Sequence, residues 1–472
     1  MTFPLWKLSA SDLARAIRDK KVSSVEAIEA HLNRIEAVNA GLNAVVANLA
    51  EAALDAAHLA DEQIASGADT GPLHGVPFTI KDVFDLAVTA TTMGIVDLKD
   101  KMPATDAPVI AHLKRAGAIP IARTNVPDFG VRWHTDNDLH GATLNPWDAA
   151  RTPGGSSGGE AVAIATGMSP LGIGGDMGGS LRFPAQCCGI VALKPGFGRI
   201  SRTITSNFDD PPMFYEQVAC VNGPMARHVG DLRLALDVLG APDPNDPCWT
   251  PAPRNSGCAQ SPVRVAVTTD PGGDGCCPII SAAISKAAAI LSDAGYMVEE
   301  TSPPCLDETT SIIERIANAE TQSYLPDMLP MMSKAAGAYL QGLVEDTESD
   351  LPSYMNAIAA RHRIAAEWRA FMQEFVLILG PVSSMPPFEV GYDLAGKEHL
   401  QKFVRSMTLT EACNLLGLPS VTLPVMVTNG LPQGVQLIAG RFAEYLCLDA
   451  AEVIEAAAGV FTPIEPCIQD QY

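Results

Sequence analysis

The sequence predicts an α/β fold with helices on both faces of a central sheet. Short apolar runs of strand length, such as "PLGIGGD" and "GIVALKP", alternate with longer segments of helical period through the middle of the chain. Glycines and prolines punctuate the joins. The 472 residues are 47% hydrophobic, which suits a globular chain able to bury a large core.

The first seventy residues read as helical. Ser23 stands three residues before Glu26, a capping-box pattern, and Ala27, Ile28, Leu32, Ile35 and Val38 then recur at helical spacing. "NLAEAALDAAHLADEQIASG" predicts a second helix ending near Gly67. Val76 to Ile80 is a short apolar run that reads as a strand delivering Lys81 at its end. "TDAPVIAHLKRAGA" predicts a helix, "IPIA" a strand, "RTNVPDFG" a loop and "GGEAVAIATG" a helix. From about 272 to 374 the chain reads as mostly helical, an insertion expected to cover a pocket. Within it, Met328, Met331 and Met332 are candidates either to pack over that pocket or to fill ordinary core. The segments from "FVLILG" to "LPQGVQLIAGRF" return to strands with a closing helix, and with no linker or repeat in view, residues 1–472 are expected to form one domain.

Charge excludes several partners. The formal net charge is −22, from 54 Asp and Glu against 32 Lys and Arg. Such a field repels phosphates, so neither nucleic acid nor an anionic membrane surface is expected. No apolar run has the length of a membrane span, and "MTFPLWKLSA" lacks the charged region and apolar run of a signal peptide. The cysteines number 11, with adjacent pairs Cys187-Cys188 and Cys276-Cys277 but no C-x-x-C pair. Neither a zinc site nor a redox dithiol is signalled, and a reduced, cytoplasmic setting is expected.

Two glycine-serine turns stand out: "RTPGGSSGGEAVAIATG" at 151–167 and "GGDMGGSLRFPA" at 174–185. A phosphate loop needs lysine after its last glycine, but Glu160 follows Gly159 and would repel the anion. Gly154 to Gly158 satisfies G-x-S-x-G, yet a nucleophile elbow must follow a strand, and the preceding "LNPWDAARTP" is polar and proline-bearing. A Ser-His-Asp esterase using Ser156 would also need one of His228, His362 or His399, none of which lies in a motif. The second turn suits a nucleophile better. Ser180 follows a buried strand and two glycines, and Gly178 and Gly179 allow amides to converge on one point. Lys81, at the end of another strand, is a base if burial keeps its amine neutral. This chemistry suggests a Lys-Ser-Ser relay.

At this point the motifs resemble a known family. "GVPFTIKD", "RTNVPDF", "NPWDAARTPGGSSGGEAVAIATG" and "GGDMGGSLRFPAQCCGIVALKPGFGRIS" are similar to segments of the amidase signature family, as are "NLLGLPSVTLPV" and "LPQGVQLIAGRF". The resemblance is weakest between about 240 and 375. It implies a large mixed central sheet, with Lys81 as base, Ser156 as a bridging serine after a cis peptide, and Ser180 as nucleophile. It places the backbone amides of Met177, Gly178, Gly179 and Ser180 in the oxyanion hole. It implies acyl transfer without cofactor or metal, on a small-molecule amide or carbamate, in a chain that often dimerises.

The neighbouring residues have weaker readings. Ser157 is expected to orient its neighbours by hydrogen bonding. Asp176 and Arg182 are expected to form a structural ion pair, the alternative being that Arg182 meets an anionic substrate. Trp133, Phe183, Phe208, Met213 and Phe214 are candidates for an apolar pocket or for core. Such a pocket would favour aryl amides or carbamates of aromatic amines. The chain departs from the family pattern at Arg123, where lysine is common before Thr124-Asn125, at Met177, often a smaller residue, and at Phe183. Phe183 replaces a glutamine common in members that serve glutamine-dependent amidotransferase complexes, and with the acidic charge this weighs against that alternative.

Overall fold

A computed structural model describes residues 4–203, 212–254, 262–345, 347 and 350–467. Eleven strands are found among them: β1 (Val45–Asn48), β2 (Pro77–Lys81), β3 (Ile119–Thr124), β4 (Leu171–Asp176), β5 (Val191–Lys194) and β6 (Val221–Ala226), followed by β7 (Arg264–Val267), β8 (Met297–Glu300), β9 (Leu377–Gly380), β10 (Ser420–Thr428) and β11 (Leu431–Ala439). They form one sheet in the order β1-β3-β2-β4-β6-β5-β10-β11-β9-β7-β8. The sheet is mixed. β2 runs parallel to β3 and β4, and β7 runs parallel to β8 and β9, while the middle from β4 through β9 pairs antiparallel.

Both faces are buried, as the apolar runs require. Successive strand side chains point to opposite faces, so Val191 and Leu193 enter one core while Ala192 enters another. Leu377 and Leu379 are parted from Ile378 in the same way. The helices Val229–Leu239, Pro278–Asp293 and Glu444–Ala458 cover one face. The helices Gly158–Ala165 and Arg182–Cys188 lie on the other, and every residue of both is buried. Their buried charged residues, Glu160 and Arg182, are held by hydrogen bonds.

Most sequence expectations hold. Ser23 and Glu26 form a reciprocal capping box at the start of the helix Ser24–Val38. The helix Ala50–Ser66 ends at Gly67, whose φ of 75° is left-handed. Four strands differ from the reading, one being β7, whose four residues fall between the segments read. β1 interrupts the N-terminal helices, and its four residues are too few for an alternating pattern to show. β6, "VNGPMA", carries a glycine and a proline that disguise it. β8 lies inside the stretch read as helical; it is an edge strand of mostly exposed residues, with no apolar run to announce it. The stretch 272–374 is therefore divided: its first helix and β8 belong to the sheet layers, the helices Leu306–Met328 and Lys334–Val344 line the cavity described below, and the helix Leu351–Glu374 packs against the first of these two. Among the described residues no helix is long and apolar enough to cross a membrane.

Candidate active site

Parallel pairing of β2 with β4, with Thr79 opposite Gly172 and Ile80 opposite Ile173, brings their carboxyl ends to one edge of the sheet. Lys81 closes β2 and Asp176 closes β4. Strand ends of this kind are where open α/β sheets hold ligands. Lys81 is 3% exposed. Burial pushes its amine down to about 8, against smaller opposing effects of Cys220, Asp176 and Glu160.

Ser156 is held opposite that amine. Lys81 Nζ donates to Ser156 Oγ at 2.6 Å. The Gly155–Ser156 peptide bond is cis. Gly155 is wedged against backbone: a Cβ there would lie 2.3 Å from the Arg132 carbonyl oxygen and 2.7 Å from the Trp133 carbonyl carbon. Below the loop, Glu160 accepts from Thr124 Oγ1 at 2.6 Å and from Thr79 Oγ1, which ties the helix Gly158–Ala165 to β2 and β3. Ser157 acts differently from expectation. Among the described residues its buried hydroxyl has no hydrogen-bond partner, while its amide donates to the Ser180 carbonyl at 3.3 Å and so joins the two serine turns.

The second turn is organised by Asp176. Its carboxylate accepts from the amides of Gly179 at 2.9 Å and Leu181 at 3.1 Å, and from Arg182 Nε at 3.1 Å and Nη2 at 3.0 Å. Burial would raise the Asp176 carboxyl, but the Arg182 guanidinium holds it well below the usual carboxylate range. Arg182 also donates to Gln436 Oε1 at 3.1 Å and to Asn414 Oδ1, and it is fully buried. Arg182 is also absent from the lining of the cavity described below. Gly179 has φ +103°, which a residue with a Cβ rarely adopts. Its amide is engaged by Asp176, so the expected four-donor oxyanion hole is corrected to three remaining candidates, the amides of Met177, Gly178 and Ser180. Trp133 Nε1 donates to the Gly178 carbonyl at 2.9 Å, fixing the same turn from the other side.

Lys81, Ser156 and Ser180 all line a cavity of about 1560 Å³. Of the five apolar candidates, Trp133 and Met213 line it. Phe183 does not: it is fully buried, with ring centroids 5.9 Å from Phe388 and 5.2 Å from Phe403, because the helix beginning at Arg182 turns it into the core. Phe214 also lies outside the lining and packs against a core that includes Leu409 and Ile438. Phe208 lies outside the described residues. Met328 and Met331 line the cavity, and Met332 packs in the core. Among the described residues no histidine lines it, which separates His228, His362 and His399 from Ser156. Cys187 and Cys188 are fully buried, and burial pushes both thiols up.

Several lining residues escaped the sequence reading. Tyr215, Tyr324, Tyr339 and Glu411 sit in segments without a glycine-rich motif, and only the fold brings them together. Glu411 is the most unusual. It is 7% exposed, and burial together with the charge of Glu314 pushes its carboxyl up to about 8.

The arrangement defines a class: a buried lysine bonded to one serine, with a second serine on a glycine turn lining the same cavity, at one edge of a mixed sheet. The family model for amidases matches residues 26–448, and the chain belongs to the amidase family. It is a hydrolase acting on C–N bonds of amides. It is 42% identical over 460 residues to an indoleacetamide hydrolase of Bradyrhizobium diazoefficiens, covering 97% of this chain and 88% of that one. It is 32% identical to a glutamyl-tRNA(Gln) amidotransferase subunit from Moorella thermoacetica, covering 96% of each. The structure of 6-aminohexanoate cyclic dimer hydrolase with substrate superposes with a TM-score of 0.83 at 26% identity, over 99% of this chain and 100% of that chain. A bacterial aryl acylamidase of the amidase signature family shares the fold, with a TM-score of 0.85 at 24% identity over 97% of each chain.

Proposed function

We propose that this chain hydrolyses a small aryl-substituted amide through an acyl-enzyme on Ser180. The observation that carries the reading is the 2.6 Å contact of Lys81 Nζ with Ser156 Oγ in a cavity that Ser180 also lines. Neutral Lys81 takes the Ser156 proton as Ser156 takes that of Ser180. Ser180 Oγ then adds to the substrate carbonyl, and the oxyanion is met by backbone amides of the turn. The proton returns through Ser156 to the leaving nitrogen, the C–N bond breaks, and the amine departs. Water, deprotonated by the same relay, adds to the ester carbonyl. Ser180 leaves with the proton and the carboxylic acid is released.

The aryl preference is supported by Trp133, Tyr215, Tyr324 and Tyr339 in the cavity wall and by the name of the 42%-identical relative. Carbamates of aromatic amines fit the same wall and relay. The test is a hydrolysis panel of aryl acetamides, anilides, alkyl amides, aryl carbamates and esters, run with Ser180→Ala as control. Preference for alkyl amides would overturn the substrate class, and activity retained by Ser180→Ala would overturn the mechanism. Likeness to the amidotransferase component favours a second reading, in which the chain is silent until a partner protein joins it. Activity of the purified chain alone decides against that reading.

A further inference from the structure

Glu411 lies on the helix Thr408–Leu415, where all eight residues are buried. Its side chain reaches the cavity beside the glycine turn: a Cβ built on Gly178 would stand 3.8 Å from Glu411 Oε1. Among the described residues its carboxyl has neither a hydrogen bond nor an ion pair. Its carboxyl opens on the cavity, and that position asks which group of a bound molecule bonds to it.

The groups around it do not. Arg182 directs its donors to Asp176, Gln436 and Asn414. Tyr215 turns its hydroxyl towards the Met177 carbonyl at 3.5 Å. Tyr339 is packed edge-on to Trp133, with centroids 6.1 Å apart. Glu314, on the helix Leu306–Met328, is a like charge that disfavours ionisation of Glu411. With its carboxyl pushed up to about 8, Glu411 is largely neutral at pH 7 and presents one acceptor and one donor. A neutral carboxyl in an aromatic wall suits an uncharged polar group better than an ammonium.

We propose that Glu411 is a specificity residue whose carboxyl accepts a hydrogen bond from an N–H carried by the non-reacting aryl part of the substrate. This rests on the aryl-amide reading above and narrows it to aryl amides with a ring or substituent N–H away from the scissile bond. The physical reason is asymmetric: a site built to bond an N–H rejects an analogue lacking it, because its own polar group is left unpaired.

The test compares indole-3-acetamide with benzothiophene-3-acetamide, of similar shape but without the N–H. Wild-type kcat/KM is expected to favour the indole by at least about tenfold. In Glu411→Leu that ratio should fall to within about twofold, and in Glu411→Gln, which keeps an acceptor, most of it should return. No preference in the wild type, or a preference that survives in Glu411→Leu, overturns the proposal. Calorimetric binding of the same pair to Ser180→Ala separates this inference from the reading beneath it. If neither amide is turned over by the wild type, the aryl-acetamide reading fails, yet equal affinities for the pair would still overturn the role of Glu411 and a tenfold difference would support it.

Discussion

Lys81 Nζ and Ser156 Oγ stand 2.6 Å apart, the amine at the end of a parallel strand and the hydroxyl in a turn wedged against the Arg132–Trp133 backbone. Neither group is reactive alone at neutral pH. The pair is a proton relay only if the amine is neutral and the hydroxyl has a nucleophile to serve, and Ser180, which lines the same cavity, is the nucleophile we propose. Ser180→Ala should lower kcat by about 10⁴-fold or more, and Ser156→Ala and Lys81→Met should fall in the same range. The double variants should be no worse than the singles, since members of one catalytic unit are non-additive. Steady-state rates of the singles and doubles check this. Additive losses would mean that the three side chains do not act as one unit.

In the proposed relay the amine sets the pH dependence. That relay needs Lys81 neutral, and burial brings its pKa down to about 8. The kcat/KM profile should therefore rise with pH, with a midpoint near 8 and a plateau above it. Glu411 titrates in the same range, so the profile must also be measured in Glu411→Gln, where the rising limb should persist. A bell centred below pH 7 would assign the base to another group.

The same shift couples to stability. The amine is protonated more readily in the unfolded chain, near 10.5, than in the folded one, near 8. Between those values the unfolded state binds more protons, so unfolding free energy from this group rises with pH across the window. At pH 7 the buried amine opposes folding by at most about 3 kcal/mol. Lys81→Met should remove this contribution: Tm measured from pH 7 to 10 should climb less steeply than in the wild type. Parallel Tm profiles would show that Lys81 is not desolvated.

How much of this could be read in the sequence follows from where the information is local. The three residues of the proposed relay could be picked out because each sits in a short motif whose backbone demands are local: a strand ending at Lys81, and glycines flanking Ser156 and preceding Ser180, and the structure places all three on one cavity. β2, β3, β4 and β5 were legible for the same reason, as apolar runs between turns. β1 and β8 were not, since short or exposed edge strands are stabilised by pairing with a neighbour far along the chain. The cavity wall was the least legible part. Phe183 looks like a pocket residue from its closeness to Ser180, but a helical turn of 100° per residue carries it into the core. Tyr215, Tyr339 and Glu411 come from three separate helices, and no local pattern marks them.

The Asp176–Arg182 pair should prove structural in origin and catalytic in consequence. Both side chains are fully buried, and Asp176 also fixes the amides of Gly179 and Leu181. Removing one partner leaves the other charge buried, which typically costs about 3–5 kcal/mol. Arg182→Met should therefore lower Tm sharply and reduce kcat at the same time. Arg182→Lys should rescue little, because an ammonium cannot reproduce the fork to Asp176, Gln436 and Asn414. If Arg182 instead met an anionic substrate, Arg182→Met would keep its Tm and raise KM for anionic amides only.

Trp133 offers a separate handle on the same turn. Its Nε1–H holds the Gly178 carbonyl at 2.9 Å, while its ring packs on Tyr339 and Phe403. Trp133→Phe keeps an aromatic ring in place but removes the donor, so the peptide after Gly178 loses its tether next to the amides proposed for the oxyanion. Orientation of those amides is felt in the transition state more than in substrate binding. The expected outcome is a loss of about tenfold in kcat, with KM changed less than about twofold and Tm little altered. A rise in KM at constant kcat would instead make Trp133 a wall of the aryl pocket and nothing more, and the two results are separated by one saturation curve on a well-turned-over aryl amide.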